Sequence, residues 1–126
     1  MVASRSSRRA TDRAALARKA ETLVARHLER QGFEIVQRNA RLGHLEIDIV
    51  ARRGGLLVFC EVRARSSDRL MTPAQSVEGV KAARFRRAAA AYLSSAIPRP
   101  REVRLDVASV VYDVPEGRLD YYEAAL

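Results

Sequence analysis

Two acidic side chains, Asp48 and Glu61, have the types and the spacing needed to share a divalent cation. Residues 45–52 alternate between apolar and polar types, and residues 56–63 form a second run rich in apolar and β-branched residues. Between the two runs stands Gly54-Gly55, a favoured two-residue hairpin loop. The sequence therefore predicts a hairpin that sets the two acids opposite each other on adjacent strands.

Placing Asp48 against Glu61 is costly unless something binds between them. Directly opposed side chains have Cβ atoms about 5 Å apart, so like charges repel by roughly 3 kcal/mol at an effective dielectric near 20. Mg²⁺ takes one or two protein carboxylates and leaves the rest of its sphere to waters and phosphate oxygens. The same register would pair Glu46 with Arg63 on that face. The alternative is that both acids lie at a solvated sheet edge, paired with arginines.

The overall charge indicates which kind of partner such a site would meet. The 126-residue chain has 23 Lys and Arg against 15 Asp and Glu, a net charge of +8. A strongly basic chain favours polyanions such as nucleic acid, without indicating any sequence specificity. Aromatic residues make up 6% of the chain, so base stacking is a less suitable mode than backbone contacts.

The single cysteine, Cys60, excludes an intramolecular disulfide and a thiolate metal cluster, and we interpret it as a small core residue. The sequence contains no apolar run long enough to span a membrane and no apolar segment of a secretory signal near its start. These features predict a protein of the reducing cytoplasm.

The first helix is predicted over residues 11–31, after a basic tail at residues 1–10 that we expect to be disordered. An apolar stripe defines its buried face, and Gly32 is the expected C-cap. Glu21 lies at the border of that stripe, so its carboxylate either reaches a site at the sheet edge or points to solvent. His27, in the centre of the stripe, is interpreted as a core residue.

A second helix is predicted to begin at Thr72 and to continue to about residue 95, with Thr72, Pro73 and Gln75 forming its N-terminal cap. Lys81 falls on the inward face of this helix. Its ammonium group either snorkels to the edge or points at the two carboxylates. The flanks of the helix, and the polar loop before it, carry arginines that could contact phosphates: Arg65, Arg69, Arg84 and Arg87.

Three further strands complete the expected sheet, at residues 33–39, 101–112 and 119–123. We predict one α/β domain over residues 11–126, with a mixed sheet of about five strands flanked by helices.

Several separated motifs resemble the YraN family, a group of bacterial proteins similar to Holliday-junction resolvases. They occur in the same order and spacing and run from about residue 17 to the C-terminus. The matching residues are Ala20-Glu21, Glu46-Ile47-Asp48, Phe59-Cys60-Glu61-Val62-Arg63, Pro73, Val77, Lys81, Tyr92-Leu93 and Leu105-Asp106-Val107.

This resemblance implies the restriction-endonuclease-like fold and a metal site of the PD-(D/E)xK type. It assigns Asp48 and Glu61 as ligands of Mg²⁺ or Mn²⁺, with Glu21 assisting them. Arg63 occupies the position of the catalytic lysine. A guanidinium stays protonated and cannot take a proton from water, although it can stabilise charge on the phosphate. Either Lys81 or a metal-bound hydroxide is then the candidate for the base.

Three functions follow as hypotheses. The first is a Mg²⁺- or Mn²⁺-dependent endonuclease acting on branched or structured DNA, which would need a homodimer to cut a junction symmetrically. The second is a nucleic-acid-binding module of the same fold that has lost turnover, as Arg63 suggests. The third is a basic assembly factor that contacts structured RNA.

Overall fold

The computed structural model describes residues 5–66 and 80–126, with side chains described for residues 12–66 and 81–126. Five strands form one sheet in the order β1-β2-β3-β4-β5, and two helices accompany it. The elements are α1 (Arg5–Arg30), β1 (Glu34–Leu42), β2 (Leu45–Arg53), β3 (Leu56–Arg65), α2 (Val80–Leu93), β4 (Glu102–Val111) and β5 (Arg118–Tyr122). The predicted mixed α/β sheet is confirmed, and it is consistent with a restriction-endonuclease-like fold.

The hairpin between β2 and β3 turns at Gly54-Gly55, as the sequence predicts. Gly54 has a φ of 59°, a conformation that glycine adopts without strain. Arg53 pairs with Leu56, and the antiparallel ladder continues in register as far as Ile49 and Cys60. The predicted register is therefore confirmed over this length of the hairpin.

β3 and β4 form the parallel pair at the centre of the sheet, with α2 between them in the chain. Their ladder runs from Leu56 beside Glu102 to Arg65 beside Val111. Residues 106–111 of β4 are all buried, as is typical of a strand covered on both faces. Such coverage requires one helix on each side of the sheet.

Helix α1 covers one face through buried Ala20, Val24 and Leu28, which pack on β2, β3 and β4. The helix begins at Arg5, inside the segment expected to be a tail. It ends at Arg30, and Gly32, the predicted C-cap, follows with a φ of 89°, while the Phe33 N–H donates to the Leu28 carbonyl at 3.0 Å.

Helix α2 covers the opposite face through buried Phe85 and Ala88. The Phe59 ring of β3 meets the Tyr92 ring edge-on, with centroids 5.4 Å apart. The predicted helix start at Thr72, with Pro73 and Gln75, lies outside the described residues. Within the part of the chain that is described, no helix combines the length and the apolar character needed to cross a membrane.

A buried polar cluster lies under α1, centred on Asp106 of β4. This fully buried carboxylate accepts two hydrogen bonds from the Arg104 guanidinium, at 2.9 Å from Nε and 3.0 Å from Nη2. The Tyr121 hydroxyl and the Ala124 N–H also donate to it. His27 lies 5.1 Å from the Tyr121 ring, and burial lowers its pKa. His27 is half-buried, so it packs at the edge of this cluster and is not one of the fully buried core residues.

Cys60 is fully buried between Asp106 and the acidic residues of β2 and β3. Burial raises the pKa of its thiol well above the usual value. The interpretation of Cys60 as an unreactive core residue is confirmed, because a protonated thiol is a poor nucleophile.

Candidate active site

The candidate site lies where β2 and β3 separate, one step beyond the last ladder pair, Ile49 and Cys60. Here a hydrogen bond between the strands is accepted by a side-chain carboxylate in place of a main-chain carbonyl. Asp48 Oδ2 accepts a hydrogen bond from the Val62 N–H at 2.8 Å. This bond fixes the Asp48 carboxyl group at the junction of the two strands, next to Glu61.

The ladder ends before it can reach Glu46 and Arg63, which the hairpin register was expected to pair. Glu46 instead lies 3.8 Å from Arg41 of β1, its neighbour in the other ladder. The physical reason is the hydrogen bond from Val62 to Asp48, since it replaces the next main-chain bond between the strands. The hairpin register therefore accounts for the position of Asp48 beside Glu61, whereas Glu46 and Arg63 do not form a ladder pair.

Asp48 and Glu61 lie close enough to perturb each other strongly. Burial, and next the charge of Glu61, raise the pKa of Asp48 to about 7, while the Val62 N–H opposes the shift. Burial also raises the pKa of Glu61, against the lowering effects of Lys81 and Arg63. Near neutral pH the pair therefore retains a proton, and a bound cation would displace that proton.

Two cationic groups neighbour this pair. Lys81 Nζ lies 3.9 Å from Glu61 Oε1, so α2 turns this lysine toward the carboxylates and not to solvent alone. Burial and then the charge of Arg63 lower the pKa of Lys81, against the influence of Glu61 and Asp48. Burial and the neighbouring positive charge of Arg63 thus both favour the neutral form of the Lys81 amine.

Glu21 approaches the pair from α1, with 8% of its surface exposed. It accepts a hydrogen bond from Asn39 Nδ2 at 3.0 Å and lies 3.7 Å from Arg38. Burial raises the pKa of Glu21, and the charge of Asp48 adds to the shift. Glu21 therefore faces the sheet and not solvent, within electrostatic reach of Asp48.

Asn39 is a site residue that the sequence analysis missed. Its neighbours Arg38 and Ala40 pair with Ile49 and Ile47, so Asn39 stands opposite Asp48 on the other strand. It adopts a φ of 51°, in the left-handed region that asparagine tolerates better than most residues. A sequence feature that could have indicated this site residue is an asparagine inside a segment that is otherwise predicted to be a strand.

A groove of about 530 Å³ opens beside the pair, between the start of β2 and α2. Of the predicted phosphate-contacting arginines, Arg84 lines this groove, while exposed Arg87 does not. Arg65 ends β3 half-buried, and Arg69 lies outside the described residues. The lining residues are His44, Leu45, Glu46, Glu61, Lys81, Arg84 and Phe85.

The donor set suits a small, hard cation with two protein ligands. Among the described residues, no group of three or more His, Cys, Asp or Glu side chains converges for metal binding. The two carboxyl groups of Asp48 and Glu61 match the one or two carboxylates that Mg²⁺ takes, with waters and substrate oxygens completing its sphere. The residues present therefore fit Mg²⁺ or Mn²⁺ as a two-carboxylate site, with Glu21 behind it.

This is therefore an α/β protein with a mixed five-stranded sheet and with two acidic side chains, Asp48 and Glu61, where β2 and β3 separate. The chain belongs to the UPF0102 family: a family model described as "Uncharacterised protein family UPF0102" matches residues 20–110. The resemblance to the YraN family is confirmed.

Curated relatives match over most of their length. A UPF0102 protein of Nocardioides sp. is 42% identical over 106 residues, which cover 84% of this chain and 86% of the relative. UPF0102 proteins of Frankia alni and of Moorella thermoacetica are each 46% identical over 96 residues, covering 76% of this chain and 80% of the relative. The residues that the family model matches, 20–110, include all the residues of the candidate site.

Proposed function

We propose that this protein is a Mg²⁺- or Mn²⁺-dependent endonuclease that hydrolyses phosphodiesters in branched or structured DNA. The observation that carries the proposal is the convergence of Asp48 and Glu61 at the junction of β2 and β3. Their pKa values are both raised, so the fold holds two carboxyl groups where they oppose each other. Such pairs persist where a function needs them, because stability alone would select against them.

Each side chain has a role in the proposal. Asp48 and Glu61 hold the metal ion, which, when bound, polarises the phosphate and makes water more acidic. Arg63 binds the negatively charged phosphate oxygens. Lys81 orients the attacking water and accepts its proton at Nζ, a role suited to a lysine whose pKa is lowered.

Glu21 supports the acid pair from α1, held by Asn39. Arg84, Arg65 at the end of β3 and Arg69 bind the DNA backbone in this proposal. The proposal also places the protein in the cytoplasm, with two copies acting together if the substrate is a four-way junction.

Cleavage of a four-way junction and of a plain duplex in Mn²⁺ tests the proposal. We expect Asp48→Asn and Glu61→Gln to lower the rate by about a hundredfold or more, because every 1.36 kcal/mol of lost charge stabilisation is about tenfold. Asp120→Asn, which neutralises an exposed acid of β5, is the matched control and should cut like wild type. Equal product from Asp48→Asn and wild type would eliminate the assignment.

One observation favours a second candidate, a nucleic-acid-binding module without turnover. Arg63 stands where the resemblance implies the catalytic lysine, and a guanidinium cannot act as a base. That candidate predicts salt-sensitive DNA binding that persists in EDTA, with no cleavage in any divalent metal.

A further inference from the structure

A second groove, separate from the acidic site, runs along the outer side of α1. It has a volume of about 580 Å³ and lies between the helix and the turn that follows β4. Four of its side chains are cationic and exposed, and Glu116 is the only carboxylate among its described lining residues. The lining residues are Arg18, Lys19, Thr22, Leu23, Arg26, Arg30, Tyr112, Pro115 and Glu116.

The basic residues of this α1 groove form a stripe along the helix. Arg18, Thr22, Arg26 and Arg30 recur every four residues, so their side chains follow one side of α1. At 1.5 Å per residue, the stripe from Arg18 to Arg30 spans about 18 Å. That length matches about five phosphates along one strand of a B-form duplex, at about 3.4 Å of axis each.

The three arginines of the stripe are available to a ligand. Within the described part of the chain, Arg18, Arg26 and Arg30 form no ion pair, whereas Arg38, Arg41, Arg52 and Arg104 each face a carboxylate. Lys19 lies over the Tyr112 ring, 5.3 Å from its centroid, at the end of the groove formed by the β4–β5 turn. The fold thus gathers positive charge here without neutralising it.

The stripe adjoins the candidate active site at Thr22. Arg38 Nη2 donates to Thr22 Oγ1 at 3.1 Å and also lies 3.7 Å from the Glu21 carboxylate. Thr22 lines the α1 groove, and Glu21 faces Asp48, so the two regions are joined through Arg38. Arg84 lies on the other side of the sheet, on α2. The acids therefore have a basic surface on each face of the sheet.

We infer that the α1 groove binds the sugar–phosphate backbone of a DNA duplex arm that leads to the acid pair. This inference rests on the proposed function for the identity of the polyanion, and it adds a binding surface that the acidic site does not contain. Arginine and lysine contacts to phosphate position a duplex without reading its sequence. A basic surface on each face suits a substrate whose arms leave the cleavage point in different directions.

The test is DNA binding by a charge-matched pair of variants. The groove variant combines Arg18→Gln, Arg26→Gln and Arg30→Gln. The control combines Arg52→Gln, Arg99→Gln and Arg101→Gln, which removes the same charge from exposed positions near the Gly54-Gly55 turn. Binding of a four-way junction and of a linear duplex is measured in EDTA at several salt concentrations, after circular dichroism has verified that each variant is folded.

We expect the groove variant to bind DNA at least tenfold more weakly than the control variant. The slope of log K against log[salt] should fall by two to three in the groove variant, since each lost phosphate contact removes about 0.9. Equal affinities and equal slopes for the two variants would overturn the inference. Competition by an equal length of duplex RNA that matches the DNA would overturn the assignment to DNA.

These outcomes are distinct from those of the cleavage test. Weak binding by the groove variant, together with a wild type that never cuts, would remove the hydrolytic proposal and leave the groove. Cleavage that depends on Asp48, with normal DNA binding by the groove variant, would overturn the inference about the α1 groove and leave the nuclease proposal standing.

Discussion

Two sets of largely buried carboxylates lie on adjacent strands of this sheet: Asp106 on β4, and the pair Asp48 and Glu61 on β2 and β3. The fold surrounds the two sets with different partners. Asp106 is fully buried, yet the Arg104 guanidinium, the Tyr121 hydroxyl and the Ala124 N–H all donate to it. Asp48 accepts one backbone N–H and faces Glu61, a second acid, and Lys81 lies 3.9 Å from Glu61. Burial raises the pKa of the acid pair, and the difference from Asp106 is that Asp106 is hydrogen-bonded directly to its own guanidinium, whereas the two acids of the pair oppose each other and share a more distant cation.

That difference separates a structural carboxylate from a candidate functional one. A buried charge that is paired and hydrogen-bonded needs nothing further, and removing its partner is harmful. Two acids held beside each other raise each other's pKa, and in the proposed function a bound cation would relieve that repulsion. The Asp106 cluster thus serves as an internal reference against which the acid pair can be tested.

The largest expected effect is the loss of stability when the Asp106 cluster is disrupted. Arg104→Met leaves Asp106 buried without its guanidinium and should lower the free energy of unfolding by about 3–5 kcal/mol. Urea denaturation measures this. Arg52→Met removes an exposed arginine that lies 3.1 Å from Glu34, and it should change stability by less than about 1 kcal/mol. Similar losses in the two variants would show that the Asp106 cluster is not a satisfied buried pair.

A smaller effect should follow from adding the missing counter-charge to the acid pair. At Mn²⁺ concentrations about 100-fold above the dissociation constant, binding to the folded state alone should stabilise wild type by about 2.7 kcal/mol. Glu61→Gln should lose this gain, and the exposed-site control Asp120→Asn should keep it. Thermal unfolding with and without Mn²⁺ is the measurement, and an equal gain in Glu61→Gln would place the ion elsewhere.

The smallest effect is the response of the acid pair to pH. Folding raises the pKa of Asp48 from 3.8 to about 7, so the folded state holds the proton more tightly than the unfolded state. Its contribution to stability is fully present below about pH 4 and is lost as the pH rises through about 7. Asp48→Asn should remove this dependence and be more stable than wild type at pH 8, where the wild-type carboxyl group is charged beside Glu61.

Asparagine is the informative replacement because its amide oxygen can still accept the Val62 N–H. Urea denaturation of wild type and Asp48→Asn between pH 4 and pH 8 follows the difference, with Asp120→Asn expected to parallel wild type. Curves for Asp48→Asn and wild type that stay parallel across this range would contradict the raised pKa.

Local signals in the sequence predicted much of this arrangement. Gly54-Gly55 and the alternation around it were enough to place Asp48 beside Glu61, since a two-residue turn fixes a hairpin register. The capping signal at Gly32 likewise gave the end of α1. The inward position of Lys81 on α2 made its approach to the acids one of two readings, and the 3.9 Å distance to Glu61 selects it.

Features that depend on one side chain meeting a distant segment were not predictable in this way. Nothing in the alternation of β2 shows that the Asp48 carboxylate will take the Val62 N–H and end the ladder there. Two of the partners of Asp106, the Tyr121 hydroxyl and the Ala124 N–H, come from β5 and the residues after it, and sequence spacing does not reveal such contacts. The arginine stripe of α1 is visible in the sequence, but the turn that makes it a groove is not.

The left-handed backbone at Asn39 limits what evolution could place at this position. Glycine would adopt the same φ with ease but would take away the amide that holds Glu21. Aspartate is also tolerated there, yet it would set a third negative charge against two that already repel. Backbone shape and charge balance therefore both favour asparagine at this position, which combines a tolerated positive φ with an amide that donates to Glu21.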